Sequence, residues 1–323
     1  AKAQDGFEKI LLADPADASK LMQAYFNPAM KGFIYAMNNG WYHTAKVHKT
    51  LGFDLTIGLS ASIVPTKDEI FSISGLSSIN GGGTVTGSTF AGPNTATNLS
   101  VNRTVKVNGV SQNVTGNFAM PGGVTNDLPL NAIPAPVAQL NVGLPYKMEA
   151  MLRFFPKTDL GDDGGSASMI GIGLKKEITS WFGPLDKLPL HVSLLAAYTS
   201  MNVDYDITSS NQLQVTNGEA AFKLKAFTVQ AIASLNFPFI NIYGGLGYSS
   251  GNSTLNIAGV YSANYDGNIT ADPITDPLNL DFDASGFKTT LGARISLGFF
   301  KIFADYSLQE YNTLSAGIAF SIR

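Results

Sequence analysis

Gly286-Phe-Lys-Thr-Thr-Leu-Gly-Ala-Arg-Ile-Ser-Leu-Gly-Phe-Phe-Lys-Ile-Phe-Ala-Asp-Tyr-Ser-Leu-Gln-Glu-Tyr-Asn-Thr-Leu-Ser-Ala-Gly-Ile-Ala-Phe-Ser-Ile-Arg323 ends the chain. In its final part Leu314, Ala316, Ile318, Phe320 and Ile322 share one face. Thr313, Ser315, Gly317, Ala319 and Ser321 share the other. Alternation with a period of two predicts a strand with one apolar and one small or polar face. Ile302, Ala304, Tyr306 and Leu308 against Phe303, Asp305, Ser307 and Gln309 repeat the pattern, as do Leu291, Ala293, Ile295 and Leu297 against Thr290, Gly292, Arg294 and Ser296. Consecutive amphipathic strands of about ten residues, joined by tight turns, are how a transmembrane β-barrel ends.

Composition agrees. Charged residues are 14% of the 323 residues, well below the roughly 25% of a soluble domain. No apolar run reaches the roughly 18 residues of a transmembrane helix. A net charge of −3 without a basic patch argues against nucleic acid. The chain has no cysteine, so disulfides and thiolate metal sites are excluded. No signal peptide precedes Ala1, so the chain is expected to start at a mature N-terminus, and Ala1-Lys2-Ala3 looks like a cleavage site.

The same alternation runs backwards from the C-terminus. Phe53, Leu55, Ile57, Leu59, Ala61 and Ile63 oppose Asp54, Thr56, Gly58, Ser60 and Ser62. Tyr146, Met148, Ala150, Leu152 and Phe154 oppose Lys147, Glu149, Met151 and Arg153. Further strands are expected near 32–45, 69–76, 137–144, 167–176, 190–205 and 222–236, and one more around Ile242–Tyr248. Together they predict an all-β, antiparallel up-and-down transmembrane barrel of about twelve strands, or fourteen if two more hide in residues 77–136. Residues 77–136 and 250–285 read as long extracellular loops, the second acidic. Thr104 to Val114 reads as a small hairpin with an Asn108-Gly109 turn inside the first. Trp181, Phe182, Phe237, Phe239, Phe299 and Phe300 fall on the opposite, periplasmic turns as an interfacial girdle. The expected location is the bacterial outer membrane, with its lipid and lipopolysaccharide as surroundings.

Residues 1–30 do not alternate. Asp14-Pro15-Ala16-Asp17 is a helix start, Leu21, Met22, Tyr25 and Phe26 form an apolar stripe, and Asn27-Pro28 is expected to stop the helix. It reads as a plug in the lumen or across the periplasmic mouth, with residues 31–323 as the barrel. Asp54, Lys147, Glu149, Arg153, Lys175, Gln230, Arg294, Asp305 and Gln309 fall on inward faces, because charges at mid-depth cannot face lipid cheaply. Glu149 with Arg153 or Lys147 is the expected cluster, and Arg294 is expected near Asp305 or the plug.

His43, His48 and His191 read as interface or turn residues. No Gly-x-Ser-x-Gly elbow, His-Glu-x-x-His, P-loop or dinucleotide fingerprint is present, so no catalytic set, metal or cofactor is expected. Asp159, Asp162 and Asp163 read as a solvated acidic loop without EF-hand spacing.

Tyr25-Phe26-Asn27-Pro28-Ala29 resembles the Asn-Pro-Ala signature in the N-terminal hatch of the FadL-like outer-membrane barrels. The run from Ala304-Asp305-Tyr306-Ser307-Leu308 to Ile322 resembles their last hairpin. The likeness covers the whole chain in architecture and is nearest to the Bacteroidota branch that includes the type 9 secretion component PorV. The resemblance implies a 14-stranded barrel, an N-terminal plug and a route for hydrophobic compounds. Two functions follow as expectations. One is passive transport of small hydrophobic molecules gated by the plug. The other is a non-transporting barrel that docks outer-membrane proteins or lipoproteins through loops 77–136 and 250–285.

Overall fold

The computed structural model describes residues 7–159, 165–266 and 269–322. The Ala1-Lys2-Ala3 start, and Asp162 and Asp163 of the acidic loop, lie outside them. A 3-10 turn, Phe7–Leu12, leads into helix α1, Pro15–Met37. The strands follow in order: β1 Phe53–Ile63, β2 Ile70–Ile73, β3 Val85–Ser88, β4 Thr97–Val107, β5 Val110–Met120, β6 Ala132–Leu144, β7 Met148–Asp159 and β8 Ser166–Glu177. Then come β9 Leu190–Ile207, β10 Leu213–Asn236, β11 Ile240–Tyr265, β12 Ile269–Thr270, β13 Ile274–Thr275, β14 Leu278–Leu297, β15 Phe300–Leu308 and β16 Thr313–Ile322.

Among the described residues the main sheet holds 12 strands. Two of these, β12 and β13, are two-residue pieces on the rim of β11. The others close a ring: β1–β6–β7–β8–β9–β10–β11–β14–β15–β16 and back to β1, every pair antiparallel. The final strand does the closing, pairing with β1 from Phe53↔Ile322 to Ser62↔Thr313. Closure removes the sheet edges that lipid cannot satisfy.

The members of the sheet differ from those expected. Residues 32–45 form no strand: α1 continues to Met37 and an irregular segment follows. The plug therefore runs past residue 30, up to the start of β1. Pro28 lies inside α1 rather than ending it. Its missing N–H is tolerated because Tyr25 and Phe26 before it and Met30 and Ile34 after it are all buried. The amide of Phe90 also donates to the carbonyl of Tyr25 beside the proline (2.9 Å). The segment near 69–76 contributes only β2, which pairs with β3 outside the wall. Within 77–136 the Asn108-Gly109 turn joins β4 to β5, both residues having positive φ, and this hairpin too stays outside the wall.

Residues 250–285 are the largest correction. Most of them are wall, since β11 pairs with β10 as far as Ala263 and with β14 from Ile240↔Ile295 to Ile257↔Leu278. Along β14 the even positions face inward throughout, but their chemistry changes. Leu278, Leu280 and Phe282 are buried and apolar, whereas Lys288 and Thr290 are buried and polar. The outward face changes in the opposite sense, from Asp281 and Asp283 to Phe287, Leu291 and Ile295. β10 does the same: Lys223 and Lys225 precede Phe227 and Val229 on the outward face, while Leu224 precedes Thr228 and Gln230 on the inward face. Polarity inverts without a slip of register.

A wall that exposes Leu, Ile and Phe over half its height and polar groups over the rest borders lipid below and water above. The boundary carries exposed aromatics on neighbouring strands, Tyr198, Phe227, Tyr248 and Phe287. Tyr248 and Phe287 touch edge to face at 5.3 Å. Exposed Tyr146, Trp181, Phe182, Phe237, Phe239 and Phe299 mark the other border, at the turns beside the C-terminus. This is an outer-membrane type of barrel wall, with β9, β10, β11 and β14 standing beyond the lipid. Beyond the lipid the inside must be apolar, and there Phe7, Ile10, Leu12 and Leu21 pack with Val101 and Phe118 of the hairpin and with Leu224, Leu255 and Phe282 of the wall.

The border can be located by mutation. Leu291→Arg, inside the band, is expected to destabilise the folded barrel in lipid vesicles by about 2–4 kcal/mol. Asn256→Arg, outward on β11 beyond the aromatics, is expected to stay within about 0.5 kcal/mol of the parent. Equal effects in urea titrations would refute the border.

Candidate functional site: the lumen and a gap in the wall

The site begins with α1. Asp14 caps it, accepting from the amide of Ala16 at 3.1 Å, and Pro15 takes the first helical position. Leu21, Met22, Tyr25, Phe26 and Pro28 are buried and Asn27 is half-buried. Buried side chains cover most of the helix outside the stripe of Lys20, Ala24, Asn27 and Lys31, as suits a helix largely enclosed by protein. At its C-terminus the carbonyls lack helical partners. Two wall cations supply them. Arg153 on β7 donates to the carbonyls of Met37 (3.0 Å) and Asn39 (3.1 Å), and Lys288 on β14 donates to that of Asn38 (2.7 Å). Positive charge at a helix C-terminus also complements its dipole.

Residues 38–52 then descend the lumen without regular structure. A buried irregular backbone needs partners, and the wall provides them. Gln139 donates to the carbonyl of Trp41 at 3.0 Å, and Lys175 reaches those of Thr44 and Lys46 at 3.4 Å. Ser234 accepts from the amide of Ala45 at 3.0 Å, Glu177 from Val47 at 3.2 Å and Glu149 from His48 at 3.0 Å. The Arg153 guanidinium also lies over the Trp41 ring, 4.1 Å from its centre.

Through this runs a chain of charge. Lys175 Nζ meets Glu149 Oε1 at 2.7 Å, and Glu149 Oε2 meets His48 Nδ1 at 2.7 Å. His48 Nε2 and His43 Nε2 both face Asp54 Oδ2, at 3.3 and 3.4 Å. Arg294 Nη1 lies 2.9 Å from His43 Nδ1. Arginine only donates, so His43 accepts at Nδ1 and carries its proton on Nε2, toward Asp54.

Asp54, Glu149, Arg153, Lys175, Arg294 and Asp305 thus point inward as the alternation predicts, but with other partners. Glu149 pairs with Lys175 and His48 rather than with Arg153 or Lys147. Asp305 accepts from the Tyr243 hydroxyl at 2.9 Å, while Arg294 goes to the plug. Lys147 is no lumen residue: it is exposed in the tight β6–β7 turn, with φ of 56°. Gln309 sits half-buried in the 309–312 turn at the outer rim, donating to the Tyr311 carbonyl at 3.0 Å and to Thr313 Oγ1 at 2.7 Å. His43 and His48 are core members of the site, contrary to their reading as turn residues. Lys288 was legible from its parity with Thr290, whereas nothing in the local pattern marked the two histidines.

At the outer rim Glu310 holds α1, accepting from Lys31 at 2.9 Å and from the Tyr35 hydroxyl at 2.8 Å. Burial pushes its carboxyl up, but these bonds outweigh burial and hold it below the usual range.

One stretch of wall is open. The β6–β7 ladder runs only from Leu144↔Met148 to Gln139↔Arg153. Beyond it, 132–138 keep their register with β1, while β7 follows β8 through an irregularity between Phe155 and Thr158. Pro134 and Pro136 lie on the open stretch. Proline is tolerated in a ladder where its missing N–H faces an unpaired side, so both missing donors face β7. Behind the gap is a cavity of about 440 Å³ between α1 and β6–β10. Pro134 and Pro136 on one edge and Phe155 on the other line it, with Phe26, Met30 and Phe33 of the plug behind.

Two expectations test the plug contacts. Arg153→Met is expected to cost about 2–4 kcal/mol and to speed amide exchange at 38–45 while leaving the β14–β16 amides protected. The Glu310 contribution is fully present above the ordinary glutamate pKa and is lost as pH falls through the lowered one. Acidification from about pH 7 to 3 should therefore lower the protection factors of 29–37, taken against the intrinsic exchange rate at each pH, more in the parent than in Glu310→Gln.

Comparison with solved structures finds barrels of low similarity. The attachment invasion locus protein Ail of Yersinia pestis is 9% identical, with 84% of this chain and 99% of that one covered and a TM-score of 0.28. The translocator domain of the autotransporter NalP from Neisseria meningitidis is 12% identical, with 96% and 98% covered and a TM-score of 0.31. A mutant of the Rh. blastica porin is 9% identical, with 84% and 98% covered and a TM-score of 0.15. Scores this low carry no argument, and the fold rests on the closed ring of pairings. A search of the curated proteins found no match. The family model that matches spans residues 1–322, and the chain belongs to that family of unknown function, DUF6588.

Proposed function

We propose that this outer-membrane barrel admits small, uncharged, hydrophobic molecules through the β6–β7 gap and passes them on when the 38–52 segment shifts. The observation that carries the proposal is the meeting of gap and cavity: the residues that edge the opening also line the apolar space behind it. Its volume falls within the range of small-molecule sites. The lining holds one charged group, Asp204, and no cation among the described residues. A carboxylate ligand would find no partner there, so an uncharged apolar ligand fits best. Below the cavity the lumen is filled by 38–52 and its ionic chain, which makes that segment the gate. The docking alternative rests on 77–136 and on 250–285, whose wall residues stand beyond the lipid.

The test fills the cavity and closes the gap separately. Ala220→Trp, on the lining, is expected to weaken binding of a neutral fluorescent hydrophobe such as N-phenylnaphthylamine at least roughly tenfold, as a blocked site should. Pro134→Val with Pro136→Val restores two ladder donors and should slow entry into proteoliposomes with equilibrium binding less affected. Unchanged binding and flux in the filled variant would sink the proposal.

A further inference from the structure

The outward face of β10 places two lysines immediately beyond the lipid border. Phe227 belongs to the aromatic boundary; Lys225 and Lys223 follow on the same face and both are exposed. Lys225 lies between Ser200 of β9 and Asn252 of β11, and Lys223 between Asn202 and Thr254. Among the described residues neither lysine forms an ion pair. No acid stands directly opposite either lysine. Asp204, which also lines the cavity, and Asp206 pair with Ala221 and Glu219, Asp204 one diagonal step from Lys223 and both further from the membrane. Asp283 and Asp281 lie two strands away, across Asn252 and Thr254.

A strand rise of about 3.3 Å per residue puts Lys225 roughly 7 Å and Lys223 roughly 13 Å beyond Phe227 along the strand. That is headgroup depth, and the flexible lysine stems can reach either way from it. Two ammonium groups on adjacent same-face positions repel unless an anion lies between them. Side-chain hydroxyls and amides flank them on both sides and can complete the shell of such an anion. We propose that Lys223 and Lys225, with Asn202 and Asn252, bind the phosphate of a phosphorylated lipid in the outer leaflet. The bound lipid sits against Tyr198, Phe227 and Tyr248 and fixes the depth of the β9–β11 wall.

The test uses the full chain in a neutral detergent, with native mass spectrometry counting retained lipid. Bis-phosphorylated lipid A is the probe, its dephosphorylated form the control, and inorganic phosphate the competitor. The parent is expected to retain the phosphorylated form only, with millimolar phosphate failing to displace it. Lys223→Gln with Lys225→Gln should weaken retention roughly thirty-fold, from about fivefold per lysine. Lys223→Arg with Lys225→Arg should preserve it and also shows that substitution there leaves the barrel folded. Lys106→Gln, on the β4–β5 hairpin, should change nothing. Unchanged retention in the glutamine pair, equal retention of dephosphorylated lipid, displacement by free phosphate, or an equal loss in Lys106→Gln would each overturn the proposal.

Discussion

Hydrocarbon offers no hydrogen bonds, and that single constraint organises the molecule. It forces the wall to close, which the β1–β16 pairing accomplishes. It also forces the inward polar groups to find partners inside. In a wide pore, water would serve. Here the partner is the chain itself: residues 38–52 present bare amides and carbonyls, and Gln139, Arg153, Lys175, Glu149, Glu177 and Lys288 meet them. The charges of the lumen are therefore fixed by the plug as much as by the wall. Neither is satisfied without the other, so the 38–52 segment and the inward polar face of the spanning wall are one assembly.

The same constraint lapses beyond Tyr198, Phe227, Tyr248 and Phe287. With water outside, an apolar outward face would be unfavourable and an apolar interior favourable. The long strands obey both regimes in turn by changing residue type on each face while the pleat continues. The α1 helix spans the change. Its first turns pack among Leu11, Val105 and Leu278, and its last carbonyls meet Arg153 and Lys288. The β4–β5 hairpin covers the outer end, tied down where Asp272 accepts the amides of Asn108 (2.8 Å) and Gly109 (3.0 Å).

Much of the wall was legible because alternation with a period of two survives in any solvent. The phases of β1, β7, β15 and β16 were readable residue by residue. What misled was the assumption that one polarity held along each strand. Leu278, Leu280 and Phe282 alternate with Asp281 and Asp283 as clearly as Phe287, Leu291 and Ile295 alternate with Lys288, Thr290 and Arg294. Read for a lipid-facing wall, the first set looked like an acidic loop. Pro28 misled for another reason. Local propensity marks a helix end, but burial of the residues on both sides overrides it. The site was half legible: inward facing followed from parity, whereas partners did not, because Glu149 and Lys175 meet His48 only through a segment whose path no local pattern encodes.

The position of the wall gap follows from the two regimes together. In the middle of the apolar band each unpaired backbone group would cost several kcal/mol. The open stretch instead lies where Pro134 and Pro136 stand beside Ala61 and Leu59, toward the outer end of β1. Two of the donors that would be stranded there do not exist, because proline has none. On the other side β7 bends away at its irregularity and keeps its bonds to β8. An opening of this kind is cheap only at that level and only with those residues. The apolar cavity lies directly behind it, because the polar filling of the lumen ends near Arg153 and the apolar core beyond the membrane has begun.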